Sequence, residues 1–452
     1  MILDKVLEIY QKYYICIHCL GRMFSLLGSS TTNYDRGSSL LLALTMENHK
    51  NLLSGDDALH KEAINNLKIL AENANYIPSQ KVLINEGLNY VKKESNQVCY
   101  LCNNIFFDIH KYIEESRRII AEIEYDSFLV GSTPSAQIIN REDRFKTEFN
   151  LLEAESFKSH FNRVIGKKLT TILNKVPKFN QPDVLLIISF NFETFSIELT
   201  LKSLFIFGKY NKFIRGIPQT HWFCKKCMGE GCELCNYTGK QYQTTVEELI
   251  SPEFLIASKA NNSKFHGAGR EDIDVRMLGS GRPFILELRN PKIRNLNLNK
   301  IERQVNKKNR KSIKISDLKY SNKKEVIRLK SGAKDTKKVY KAIVEAETKI
   351  DKDNFNLLIL ELKKTLENQK IYQRTPYRVS HRRADKVREK IIFQINCKYI
   401  KPNIFEFTIE TQGGTYIKEL ISGDEGRTSP SFSEIFKNKL VCKELDVIEI
   451  SL

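Results

Sequence analysis

Gly267-Ala268-Gly269-Arg270-Glu271-Asp272-Ile273-Asp274-Val275-Arg276-Met277-Leu278-Gly279, continued by Ser280-Gly281-Arg282-Pro283-Phe284, is the stretch on which the reading of this chain turns. Glycines bracket a short segment in which acids and arginines alternate. An aspartate flanked by Arg270 and Arg276 is favoured in its ionised form, because nearby positive charge stabilises a carboxylate. An ionised aspartate in a tight loop suits a nucleophile. On spacing alone, a solvated and salt-bridged turn accounts for the same residues. No phosphate-binding glycine loop, dinucleotide fingerprint or metal-dependent hydrolase box occurs in the chain.

Outward from this segment, the sequence alternates strands and helices in no regular order. Ile285–Leu288, Val339–Glu345, Lys390–Tyr399 and Phe405–Thr411 have strand character, and Phe355–Asn368 has the apolar spacing of an amphipathic helix. That mixture predicts an α+β domain rather than a doubly wound one. The lysine-rich stretch 292–335 reads as an inserted loop or hairpin. Residues 1–124 are expected to be mostly helical, with looser structure between Gly28 and Asp57. From Tyr125 to about 220 a mixed unit is expected: a strand at Phe128–Val130, helices at Arg144–Glu155 and Phe157–Leu173, then strands at Asp183–Phe190, Thr194–Leu199 and Leu204–Gly208. At 452 residues the chain exceeds what one core usually supports, in keeping with several domains.

Charge narrows the partner. Lys and Arg total 72 against 54 acids, a net charge of +18. Such an excess attracts polyanions by counterion release, and nucleic acid is the first candidate. Lys370–Lys390 concentrates eight Lys/Arg against two acids, and Ile301–Ile350 holds 16 against six. No apolar run approaches the ~18 residues that span a bilayer. Asp4, Lys5 and Glu8 break any signal-peptide pattern. A cytoplasmic protein is expected, with no membrane partner.

Eight of the ten cysteines form four C-x2-C pairs: Cys16/Cys19, Cys99/Cys102, Cys224/Cys227 and Cys232/Cys235. In a cytoplasmic setting this spacing points to metal knuckles rather than disulfides. The last two pairs fall within twelve residues, with Gly229 and Gly231 between them, and suit one structural zinc ion. The first two pairs are far apart, so a shared site would pin distant segments together. Reduced cysteines without an ion remain the alternative on spacing alone.

The string G-R-E-D-I-D-V-R-M-L-G-x-G-R-P-F resembles the active-site motif of the Pus-ten family, pseudouridine synthases that modify T-arm uridines of tRNA. Phe128–Gly131, Phe205–Lys209, Arg215–Thr220, Val246–Ile250, Gln373–Pro376, His381–Ala384, Gly414–Lys418 and Gly426–Thr428 follow the family's pattern in the same order. The resemblance therefore runs over nearly the whole chain. It implies a C-terminal pseudouridine synthase fold, a central mixed and largely antiparallel sheet flanked by helices and loops, at 241–452. Before it would come a helical zinc-binding region at 1–124, a THUMP-like RNA-binding module at 125–220 and a four-cysteine knuckle at 221–240.

Carried over residue by residue, Asp272 matches the catalytic aspartate. Tyr340, in Lys338-Val339-Tyr340-Lys341-Ala342, matches the tyrosine that stacks on the target base. Lys418 matches the basic residue that pairs with the aspartate. Arg270, Arg276, Arg374, Arg378, Arg382, Arg383, Lys209, Lys212, Arg215 and Tyr416 are expected to bind the RNA. Cys16, Cys19, Cys99 and Cys102 match the family's N-terminal zinc ligands, and the second set resembles archaeal members. The resemblance implies structural zinc, one or two ions, no catalytic cofactor, tRNA as partner and no obligatory protein partner. A zinc-stapled tRNA-binding protein without catalysis is the competing reading. Another THUMP-bearing tRNA enzyme would need a cofactor loop that the sequence lacks.

Overall fold

Apolar residues at helical spacing fill the first hundred positions, and in the computed structural model they form Ile2–Lys12, Ile17–Met23, Asn33–Leu52, Asp57–Lys68, Ile77–Asn85 and Ile109–Ile120. The structure describes residues 1–92, 97–331 and 336–451, and at Arg382 the backbone only. The helix Asn33–Leu52 occupies the stretch expected to be loose. Thr32 caps it, accepting from the Asp35 amide at 3.1 Å, while Asp35 accepts from the Thr32 amide at 3.3 Å. Its glycine serves close packing rather than a turn: a Cβ at Gly37 would stand 2.2 Å from the carbonyl oxygen of Ile17.

These helices share a unit, Met1–Lys202, with a four-stranded sheet. Its order is Val176–Pro177, Ser127–Pro134, Val184–Phe190, Phe195–Leu201. Ser127–Pro134 and Val184–Phe190 run parallel, which requires a long crossover. The helices Ala136–Glu148 and Phe157–Leu173 supply it. Phe157, Phe161, Ile165 and Leu169, four apart, put one face of the second helix into the core.

The second unit, Ser203–Leu452, is built on a ten-stranded sheet. Its path runs Thr428–Ser429, Lys370–Arg374, Val387–Lys401, Ile404–Gln412, Lys337–Ala346, Leu440–Ser451, Arg276–Arg289, Leu204–Lys212, Ile313–Ser321, with Asn262–Gly267 beside Arg276–Arg289. Every pairing is antiparallel except that of Leu440–Ser451 with Arg276–Arg289. The sheet is therefore mixed and largely antiparallel, as expected. Helices Val246–Ser258, Leu298–Lys308 and Lys352–Leu366 contribute Ile250, Phe254, Ile301, Val305, Phe355 and Leu362 to its core.

Two expectations need correction. Leu204–Lys212, assigned to the N-terminal module, pairs between Arg276–Arg289 and Ile313–Ser321, so 203–220 folds with the second unit. The lysine-rich stretch 292–335 is described to residue 331, with 332–335 outside the described residues, and is there neither loop nor hairpin: it forms Leu298–Lys308, Ile313–Ser321 and Lys323–Ser331. Ile301, Val305, Ile313 and Ile315 are buried, and Asn306 bonds both backbone groups of Ile315, at 2.9 and 2.7 Å. Its lysines cover the outer surface of a packed element. No helix among the described residues is long and apolar enough to cross a membrane.

Candidate active site

The cleft lies where Arg276–Arg289, Lys337–Ala346 and Leu440–Ser451 adjoin at the middle of the larger sheet. Gly279, at φ +57°, allows the first and last of these to approach closely: a Cβ there would meet the Ile448 carbonyl oxygen at 2.0 Å. The segment 268–275 crosses the end of these strands. It is held by Ala268 N–H to Pro283 O at 2.9 Å, Gly216 N–H to Ile273 O at 2.9 Å and Val275 N–H to Asp272 O at 3.1 Å.

Beneath this loop is a buried polar cluster. Glu271 points inward and accepts from the Tyr210 hydroxyl at 2.9 and 2.8 Å. Arg282 Nε stands 2.8 Å from Glu271 Oε2, and Arg282 Nη1 donates to Ala268 O at 2.8 Å. Lys212, fully buried, donates to the carbonyls of Ile217, Asp272 and Ile273 at 3.0, 3.3 and 3.2 Å, with Glu271 at 3.8 Å. Burial lowers the Lys212 pKa while Glu271 opposes the shift. Buried charges persist when paired and hydrogen-bonded. Lys212 thus lies under the backbone of Asp272, with no exposed surface to offer a phosphate.

Above the loop, Asp272 turns into the cleft with about a third of its side chain exposed, and Arg378 Nη1 meets its Oδ2 at 2.8 Å. The same guanidinium holds Glu419, from Nε at 2.6 Å. Burial works against the Arg378 charge, but Glu419 and then Asp272 carry its pKa above the ordinary value. Lys418 does not pair with Asp272: its Nζ lies 2.6 Å from Asp274 Oδ2. Burial of Asp274 opposes its ionisation, and the Lys418 ammonium outweighs that, holding the carboxyl below the usual range.

Asp272, Tyr340, Lys418, Arg270, Arg378, Arg383 and Tyr416 line one cavity. Tyr340 sits on Lys337–Ala346 opposite Ile409 and Val447, and burial pushes its phenol up to about 12. Arg383 Nη1 donates to the Tyr416 hydroxyl at 2.8 Å. The Arg270 guanidinium lies 5.5 Å from the Trp222 ring.

The other expected contacts are engaged elsewhere. Arg276 donates two hydrogen bonds to Asp446, at 2.9 and 2.6 Å, and is engaged there rather than at Asp272. Arg215 donates to the carbonyls of Asp274 and Leu445, both at 2.7 Å, and to Asp446 at 2.7 Å. Lys209 pairs with Asp317 at 2.8 Å, and Arg374 with Asp385 at 2.7 Å. The Arg382 side chain lies outside the described residues. Sequence reasoning missed Lys338, which lines the cavity two residues before Tyr340, and hence on the same strand face. It also passed over Glu271, Arg282 and Trp222, although Glu271 and Arg282 stand inside the quoted motif.

Both cysteine sets assemble. In each, the four sulfurs lie within 4.8 Å of one another. Cys16 and Cys102 are 3.6 Å apart, Cys224 and Cys232 3.9 Å, and Cys227 and Cys235 3.8 Å. A tetrahedron with metal–sulfur bonds of about 2.3 Å has edges of roughly 3.8 Å. Backbone amides add N–H···S bonds, from Cys16 to Cys99 and from Gly231 to Cys227, both at 3.2 Å. Either set could hold a metal ion.

Residues 205–451 match the family model described as Pus10, C-terminal, and residues 112–189 match the archaeal Pus10 THUMP domain. A protein named tRNA pseudouridine synthase Pus10 from Methanocaldococcus jannaschii is 41% identical, over 98% of this chain and 93% of its own. The chain belongs to the Pus10 family. A Pus10 of the same name from Methanothermobacter marburgensis is 36% identical, with 99% and 98% covered. Among solved structures, a Cbf5-Nop10-Gar1 complex is 17% identical over 46% of this chain and 45% of that one, at a TM-score of 0.28. The Pus10 C-terminal match begins within the strand Leu204–Lys212, agreeing with the division of the chain at Lys202/Ser203.

Proposed function

We propose that this chain is a tRNA pseudouridine synthase that isomerises uridine in the T arm, at one or both of its adjacent uridines, with Asp272 as nucleophile. The observation that carries the reading is the Asp272 carboxylate, ion-paired to Arg378 at 2.8 Å in a cleft shared with Tyr340. Family membership and a relative named for the same activity support it.

In this reaction the uracil N1–C1′ bond breaks, a C5–C1′ bond forms, C5 loses a proton and N1 gains one. Composition is unchanged, so neither oxidant nor water is consumed. The Asp272 carboxylate attacks C1′, forming a C1′–O bond as the N1–C1′ bond breaks and its electron pair stays on N1. The base then turns, C5 bonds to C1′ as the carboxylate leaves, and Asp272 takes the C5 proton as general base. Arg378 neutralises and aims the carboxylate through its own anchor on Glu419. Uridine must leave its stack to reach the cleft, at a cost of a few kcal/mol. Stacking on Tyr340 offsets ~1–3 kcal/mol of it. Arg270, Arg383, Lys418 and Tyr416 face the RNA around the cleft mouth. The cysteine sets hold structural zinc, which braces the chain and takes no part in the chemistry.

The test is incubation with an unmodified tRNA transcript, followed by carbodiimide treatment and primer extension. Wild type gives a T-arm stop, and Asp272→Asn gives none while still binding tRNA. The absence of any such stop with wild type overturns the assignment and favours a non-catalytic tRNA-binding protein.

A further inference from the structure

Trp222 is the only tryptophan of the chain. It leads into the Cys224 knuckle on a short ladder: its carbonyl accepts from Gln241 N–H at 2.9 Å, Phe223 pairs with Lys240, and Cys224 N–H bonds Gly239 O at 2.8 Å. The ladder and the knuckle fix the height of the indole. Tyr242 meets the ring edge-on, with centroids 5.8 Å apart at 84°, and the Arg270 guanidinium stands 5.5 Å from the ring.

The indole is half-buried and forms a wall of a second cavity, which contains Asp272, Arg378, Arg270 and Lys418. Those four residues also line the nucleoside cleft, so the two cavities adjoin at Asp272. A flat aromatic wall with guanidinium and ammonium groups around it matches the chemistry of an unpaired nucleotide, a π-face joined to a phosphate. Eversion of one nucleotide leaves its neighbour without a stacking partner on that side.

We propose that Trp222 and Arg270 form a stacking platform for the nucleobase adjacent to the uridine in the cleft, and that the Cys224–Cys235 knuckle holds this platform in place. The proposal rests on the tRNA reading above. It also gives the second cysteine set a local purpose, since loss of the knuckle would release Trp222 from the lip of the site.

The experiment is a fluorescence titration of the full-length Asp272→Asn protein with unmodified tRNA, beside filter binding and a pseudouridine assay of wild type. Tryptophan emission comes from one residue, so quenching reports this position alone. Expected are quenching at the same midpoint as filter binding, and a Kd raised roughly 5- to 150-fold by Trp222→Ala, the worth of one base–aromatic stack. Trp222→Phe restores most of the affinity, with metal content unchanged in both variants. Unchanged emission at saturating tRNA, or a wild-type Kd for Trp222→Ala, overturns the platform, and continued pseudouridine formation then leaves the isomerase reading standing. Quenching without pseudouridine from wild type fails the isomerase reading and keeps the platform. Should Trp222→Ala lose its metal or fold, the emission titration and Trp222→Phe still decide.

Discussion

Arg378 grips Asp272 with Nη1 at 2.8 Å and Glu419 with Nε at 2.6 Å, so one planar side chain ties the proposed nucleophile to a buried carboxylate from the helix Ile417–Ser422. The guanidinium plane fixes direction as well as charge. Lysine can supply a charge but not two aligned contacts. Arg378→Ala is expected to lower the single-turnover rate by ~100-fold, the usual worth of a preorganised contact at a reacting group. Arg378→Lys should recover only part of the rate, and tRNA Kd should move by a few-fold at most. A rate equal to wild type for Arg378→Ala would remove Arg378 from the mechanism.

Lys212 and the RNA can be separated by experiment. If Lys212 is a strut, Lys212→Met takes the ammonium donor from three carbonyls, of which Asp272 O and Ile273 O keep only a backbone N–H, and leaves Glu271 short of one cation. Arg282 and Tyr210 remain on Glu271, so the loss should be ~3 kcal/mol of stability, the low end for breaking a buried pair. Urea unfolding reads this directly. A phosphate contact would instead weaken tRNA binding and leave the unfolding midpoint where it was.

The loop around Asp272 could be read from sequence because its glycines, acids and arginines are consecutive. Its partners could not. Arg276 finds Asp446, 170 positions away, and Arg378, far along the chain, reaches Asp272. Charged side chains read as surface until the acid that buries them is known: Lys212 needs Glu271, and Arg215 needs Asp446. The lysine-rich stretch misled for the same reason. Ile301, Val305, Ile313 and Ile315 carry helix and strand spacing there, but the surrounding lysines mask it. The sheet itself was legible where strands were apolar and regular. Leu204–Gly208 was visible as a strand, yet its extension to Lys212 and its allegiance to the second sheet depend on pairing with residues far along the chain.

Lys338 offers a pH-dependent test. Burial, then Arg282 and Lys390, lower its pKa to about 8, against the pull of Glu271. Arg282 and Glu271 face it from the loop side, Lys390 from Val387–Lys401, and Tyr340 shares its strand. Between about pH 8 and the ordinary lysine value near 10.5 the folded side chain is neutral while the unfolded one is charged. The unfolded state then binds more protons, so stability rises with pH in that window. Lys338→Met removes the group, and should be more stable than wild type at pH 7, with the gap closing towards pH 10. Urea midpoints of both proteins at pH 7, 8.5 and 10 check the sign. A constant gap would mean that Lys338 titrates normally.

The two cysteine sets should differ in how they hold a metal. All four sulfur-bearing residues of the first set are buried within a hydrophobic cluster, whereas Cys227 and Cys232 of the second are partly exposed. Elemental analysis of the protein as purified should give two zinc ions per chain, and Cys224→Ser with Cys227→Ser should give one. A chelator should strip the second site first, and that loss should change Trp222 emission because the ladder at 222–224 is closed by the knuckle. The first site should release its ion only as the helices around it unfold, since the chelator has no path to buried sulfur, and metal binding there is part of the folding free energy. Iron in place of zinc would appear in the same analysis and in the visible spectrum. Recovery of fewer than one ion per chain from freshly purified protein, with all cysteines reactive as thiols, would return both sets to being clusters of reduced cysteine.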